Sequence, residues 1–157
     1  MKNFDVTVPV KEYGYDELNN ADRALVEKAR LSTYRSYAPY SKFKVGAAIA
    51  LDNGEVIEGS NQENVAFPSG TCAERTAAYY AHSRFPEAKF MRMAIAARGT
   101  DDEFTPLPTA PCGACRQALL EYEVLAGHDV PVLLAGRDRV YEFPSIKSFL
   151  PLAFSEF

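Results

Sequence analysis

Three cysteines carry most of the chemistry this sequence offers. Two form Cys112-Gly-Ala-Cys115 directly after Pro111, and the third, Cys72, stands alone upstream. Proline followed by Cys-x-x-Cys suits a helix start. Both sulfurs can then face one point in the first turn, where free N–H groups and the positive helix end favour thiolates. Cys72 opens a second helical stretch and meets the same conditions. Three thiolates at about 2.3 Å from a zinc ion leave one tetrahedral position open, the pattern of a catalytic site. Taken alone, the Cys112–Cys115 pair reads as well as a structural or redox pair as it does as half of a metal site. Three cysteines, however, cannot complete a four-thiolate structural site. His82, inside a helical stretch, and His128, in a Gly-His-Asp turn, read as packing or surface residues.

Glu74 follows Cys72 by two positions, so it leaves the helix on a neighbouring side and is not a fourth ligand by default. A carboxylate beside a metal site of this kind can accept a proton from water and deliver it to a substrate. The plainer role is a helix cap: Thr71 is a candidate N-cap, and Glu74 three residues on completes a capping box.

The elements that must position these residues can be read from periodicity and punctuation. Asn19 or Asn20 caps a helix expected to run to about Tyr37, with Ala21, Leu25 and Ala29 on one stripe and Pro39 beyond its end. Val45–Leu51 and Glu55–Gly59 flank Asp-Asn-Gly as a hairpin. A loop over 60–70 leads to a helix over about 71–84. Met91–Arg98 is a strand, 99–110 a polar loop, and 111–123 a helix. Val130–Ala135 and Val140–Phe143 are strands, followed by a helical turn over 145–150. Residues 1–14 read as an irregular arm. The pattern implies a mixed sheet with helices on its faces. Four residues separate Ala135 from Val140, too few for a parallel crossover, so the last two strands should be antiparallel.

The 157 residues suit one domain over 1–157. A net charge of −4 with scattered basic residues argues against a polynucleotide partner, but not against a neutral nucleoside. No apolar run is long enough to span a membrane. The first residues lack a signal-like apolar core, so a cytoplasmic location is the expectation.

Thr71 to Ala77 and Pro111 to Gln117 resemble the two signatures of the small, homotetrameric, zinc-dependent cytidine deaminases. Tyr37 to Ala48, Asn61 to Asn64 and Leu150 to Phe154 extend the likeness over roughly residues 20 to 155. The resemblance implies a three-layer α/β/α cytidine deaminase-like fold with a five-stranded mixed sheet. It implies one Zn2+ per chain on Cys72, Cys112 and Cys115, with Glu74 as the catalytic proton carrier that also binds N3. Cytidine and 2'-deoxycytidine would be hydrolysed to uridine and 2'-deoxyuridine in pyrimidine salvage. Phe43 would pack on the pyrimidine, and Asn61 and Glu63 would hold the ribose. The Ala73 N–H would meet O2, and the Ala110 carbonyl the departing amine. Arg75 would draw charge from the thiolates, while Arg116 reads as a structural ion pair. Phe154 would close a neighbouring subunit's site, making a homotetramer with shared active sites. The nearest alternative is a deaminase of another cytosine-bearing nucleoside, such as an aminoacyl-nucleoside antibiotic. A polynucleotide deaminase fits less well, because such enzymes resemble a His-Ala-Glu version of the first motif. A zinc-stabilised scaffold would need no Glu74.

Overall fold

The central strands bury both of their faces, and in the computed structural model, which describes residues 1–155, that pattern fixes the layers. β2 (Lys44–Leu51), β4 (Phe90–Arg98) and β5 (Val132–Ala135) are the inner strands. They send Ala47, Ile49, Met93, Ile95, Val132 and Leu134 into one core, and Ala48, Ala94, Ala96, Leu133 and Ala135 into another. Successive side chains alternate between faces, so a strand covered on both sides reads as a continuous apolar run. α1 (Asn20–Ser32) closes the second core with Leu25, Val26 and Ala29. α2 (Ala73–Arg84) and α3 (Gly113–Ala126) close the first. The three layers are α/β/α.

With β1 (Lys11–Gly14), β3 (Val56–Ser60) and β6 (Arg139–Phe143) added, the sheet order is β1-β6-β5-β4-β2-β3. β4 and β5 are parallel, joined through α3, and the other pairings are antiparallel. The short link after Ala135 turns β6 back against β5, as its length requires; Gly136 N donates to Arg139 O at 2.9 Å.

Among the described residues the sheet has six strands rather than the expected five. Lys11–Gly14, expected to be the end of an irregular arm, pairs antiparallel with β6, Lys11 opposite Glu142. The pairing is sealed at Glu142, which accepts from Tyr13 Oη at 2.8 Å and from Arg92 Nη2 at 2.7 Å. α1 is also shorter than expected. Asn19 caps its start, accepting from Asp22 N at 2.9 Å, but the helix stops at Ser32 and passes into a 3-10 turn over Thr33–Arg35. The Thr33 hydroxyl bonds the Arg30 carbonyl at 2.7 Å and competes with continued helix. Its buried stripe starts at Asp22, with Ala21 exposed, because Arg92 pairs with the Asp22 carboxylate at 2.6 Å.

Two glycines set how closely the helices approach the sheet. A Cβ on Gly46 would lie 2.1 Å from the Ala29 carbonyl of α1. One on Gly59 would lie 2.6 Å from the Ala73 carbonyl and 2.5 Å from the Ala77 nitrogen. β3 therefore carries the first turn of α2 directly on its backbone. Ala73, Ala77, Ala78 and Ala81, all fully buried, form the matching face of the helix. Among the described residues, no helix is long and apolar enough to cross a membrane.

Candidate active site

The N-termini of α2 and α3 meet, and the cysteines sit where they meet. Cys72 and Cys112 are the N-cap residues of α2 and α3, neither using its side chain as a cap, and Cys115 lies fully buried in the first turn of α3. The capping box expected from Thr71 and Glu74 is absent: Thr71 is one residue outside the helix, and its backbone is engaged with Gln62 in both directions at 2.8 Å. Glu74 instead meets its own backbone N–H in the first turn of α2.

The three sulfurs lie within 4.8 Å of one another, and Cys72 Sγ is 3.8 Å from Cys112 Sγ. Tetrahedral zinc with sulfur at about 2.3 Å requires sulfurs about 3.8 Å apart, so the donor set fits the metal. Cys72 is the sulfur held most strongly toward thiolate, at about 5. The hydrogen bond from Cys115 is the largest cause, burial opposes it, and Arg75 adds to it. Cys115 is pushed the other way by the hydrogen bond it gives and by burial.

Glu74 is 4% exposed. Burial lifts its carboxyl to about 7, and the Cys72 charge adds to the rise. A carboxyl poised there can both take and give a proton at neutral pH. Arg75 places Nη2 3.8 Å from Cys72 Sγ, and that hydrogen bond raises its affinity for its proton further. Its Nε is buried without a partner among the described residues.

Beside Cys72 opens a cavity of about 590 Å³, lined by Asn61, Glu63, Cys72 and Arg75 together with Tyr40, Gln62, Phe67 and Thr71 among others. The segment 61–63 is pinned from both sides. Tyr37 N donates to Asn61 O (3.0 Å), Glu63 N to Tyr37 O (2.8 Å), and Gln62 pairs with Thr71. Glu63 Oε2 accepts from Tyr40 N at 2.9 Å and Ser41 N at 3.3 Å. Hydrogen bonding from Ser41, against a smaller desolvation cost, holds its carboxyl below the usual range, so it is an anion at neutral pH. The Asn61 amide accepts from Val45 N (2.8 Å) and donates to Phe43 O (2.9 Å), so it also holds the entry to β2.

Of the expected site residues the cavity wall gathers Asn61, Glu63, Cys72 and Arg75, while Phe43, Ala73, Glu74, Ala110, Cys112, Cys115 and Phe154 do not line it. Phe43 is half-buried next to it through Asn61, and Ala110 is exposed just before Pro111. Phe154 is 68% exposed, and its carbonyl accepts from Gln117 Nε2 at 2.9 Å. Arg116 makes no ion pair among the described residues, contrary to expectation. It donates to the carbonyls of Pro111 (2.8 Å) and Phe149 (3.3 Å) instead. Tyr40 and Thr71 were not expected to line the cavity. Both lie inside the motifs that carry the family likeness, Tyr40 three residues before Phe43 and Thr71 directly before Cys72, and that was the signal that could have found them. Buried Glu123 was missed as well. It accepts from Val130 N, Ser145 Oγ, Ile146 N and Lys147 N at 2.7–3.2 Å.

Residues 19–126 match the family model for the cytidine and deoxycytidylate deaminase zinc-binding region. The chain is 36% identical over 132 residues to the cytidine deaminase of Sporosarcina psychrophila, spanning 84% of this chain and 90% of that protein. It is 36% identical over 131 residues to that of Halalkalibacterium halodurans, spanning 83% and 92%. The crystal structure of cytidine deaminase from Burkholderia pseudomallei superposes with a TM-score of 0.71 at 34% identity, covering 87% of this chain and all of that one. The same three cysteines that fit zinc by distance lie inside the matched region, and the chain belongs to the cytidine and deoxycytidylate deaminase zinc-binding family.

Proposed function

We propose that this chain hydrolyses cytidine and 2'-deoxycytidine to uridine and 2'-deoxyuridine with release of ammonia. The observation that carries the reading is a buried carboxylate, Glu74, immediately beside three sulfurs spaced for zinc in a chain of this family. One zinc per chain, held by Cys72, Cys112 and Cys115, supplies Lewis-acid activation of water when bound. Glu74 takes a proton from the attacking water and delivers it to N3 of the pyrimidine. It then takes the proton of the hydroxyl added at C4 and passes it to the 4-amino group, so the C4–N bond breaks, ammonia leaves and the C4 oxygen becomes the carbonyl of uridine. The Ala73 N–H, free as the first donor of α2, meets O2, and the Ala110 carbonyl accepts from the departing amine. Phe43 packs on the ring. Glu63, anionic and on the cavity wall, accepts from a ribose hydroxyl and repels a phosphate placed there, and Asn61 completes the ribose contacts. Arg75 draws off part of the net negative charge of three thiolates on one divalent ion.

Residues 1–157 are read as one deaminase unit working in the cytoplasm on free nucleosides. Four chains are proposed to assemble so that Phe154 of one closes over the pyrimidine of its neighbour, a reading supported by the exposure of that ring at the chain's end. Ammonia release from cytidine tests the activity. Glu74→Gln keeps shape and zinc but cannot carry the proton, so turnover should fall about 10²–10⁴-fold with metal content unchanged. Unchanged turnover would return Glu74 to a purely structural role.

A further inference from the structure

The first turn of α3 does more than present a metal ligand. Consecutive residues on a helix diverge by about 100°, and Cys115, Arg116 and Gln117 face three different surroundings. Cys115 is buried at the sulfur cluster. Arg116 bridges Pro111 O at 2.8 Å, next to ligand Cys112, to Phe149 O at 3.3 Å, with its guanidinium 5.6 Å from the Phe149 ring. Gln117 Nε2 donates to Phe154 O at 2.9 Å.

Glu123, further along α3, grips the start of the same segment through Ser145, Ile146 and Lys147. The chain after residue 145 is therefore fastened to Glu123 first, Arg116 next and Gln117 last. It runs back along α3 toward the metal-bearing end. Leu150 and Ala153 pack on the core between these fastenings, while Phe154 stays exposed.

We propose that Gln117, backed by Arg116, is a positioning residue for substrate closure. It fixes the backbone at Phe154 and so sets where that ring stands over the pyrimidine of the adjoining site. The inference rests on the role given to Phe154 above. The amide bonds a carbonyl, so the fastening survives loss of the ring, and a double-mutant cycle can separate the two ideas.

KM and kcat for cytidine are measured for Gln117→Leu, Phe154→Ala and the double variant. Zinc content and hydrogen exchange over residues 150–154 are followed in parallel. Loss of one hydrogen bond that orders the tail should raise KM roughly 3- to 10-fold. Stoichiometric zinc and kcat should be kept, while exchange of the tail amides speeds up. In the Phe154→Ala background, Gln117→Leu should change KM little. If Phe154→Ala raises KM while Gln117→Leu does not, or if Gln117→Leu acts equally with and without the ring, the positioning role is overturned. If Phe154→Ala itself leaves KM unchanged, the shared-site reading fails, a different outcome. Gln117→Glu, a near-isostere without the donor, must repeat the leucine result. Loss of zinc in both variants would show that Gln117 supports the metal turn instead, and would also overturn the proposal.

Discussion

At the scale of single residues, the metal site was the most legible part of the chain. Its geometry is local: Cys112 and Cys115 share one helix start, and Cys72 begins another. Asn61 was less legible. Its amide is engaged by Phe43 and Val45, partners that only the packed β2 entrance brings to it. Glu123 was invisible as an anchor because its four donors come from two loops beyond its own helix. Cys115 is the sulfur of the cluster with no exposure, and its replacement leaves two sulfurs for the ion. Cys115→Ala should lose zinc and, with it, stability. At free metal about a thousandfold above the dissociation constant, binding contributes about 4 kcal/mol. Metal analysis with thermal unfolding, with and without chelator, checks this: chelator should lower the wild-type midpoint and leave the variant's unmoved.

At the scale of elements, the position of α2 depends on β3 having no side chain at residue 59. Gly59→Ala would press a methyl group into the Ala73 carbonyl and Ala77 nitrogen, both backbone atoms unable to rotate away. The expected cost is about 1–3 kcal/mol. Because Cys72 and Glu74 lie at the displaced end, turnover should drop more than stability does; a misplacement of about 1 Å can cost about 10²-fold. Calorimetry and turnover on one preparation give both numbers. Element boundaries were legible where side chains alternate on strands or cap helices, as at Asn19. They were not where tertiary partners decide, as where Thr33 ends α1 or where β1 pairs with β6. A four-residue Lys-Glu-Tyr-Gly stretch has no strand signal of its own; its partner supplies it. That partner also gives the strand a pH dependence. Burial lifts the Glu142 carboxyl, but hydrogen bonds from Tyr13 and Arg92 outweigh it and hold it below the usual range. A group depressed in the folded state stabilises above its unfolded value of about 4.3 and loses that contribution as pH falls through the folded value. Glu142→Gln should therefore unfold at lower urea than wild type at pH 7, and the gap should shrink below about pH 4.

At the scale of the whole molecule, the family match runs over residues 19–126, so β1 lies before the matched region and β5 and β6 after it. The turn after Ala135 leaves β6 running antiparallel to β5, with its other side available for pairing. Its sequence, Arg-Val-Tyr-Glu-Phe, is rich in β-branched and aromatic residues as strands are. An uncovered edge of that kind recruits strands from other molecules. β1 covers it with a short, charged segment preceded by Pro9, which has no N–H to offer a further strand. Removing residues 1–14 should leave zinc content and turnover per site near wild type at low concentration, since that segment supplies no site residue. Light scattering at high concentration should then show concentration-dependent association that the full chain resists. The opening residues of this chain would then matter chiefly for how concentrated the protein can become before its molecules begin to pair with one another.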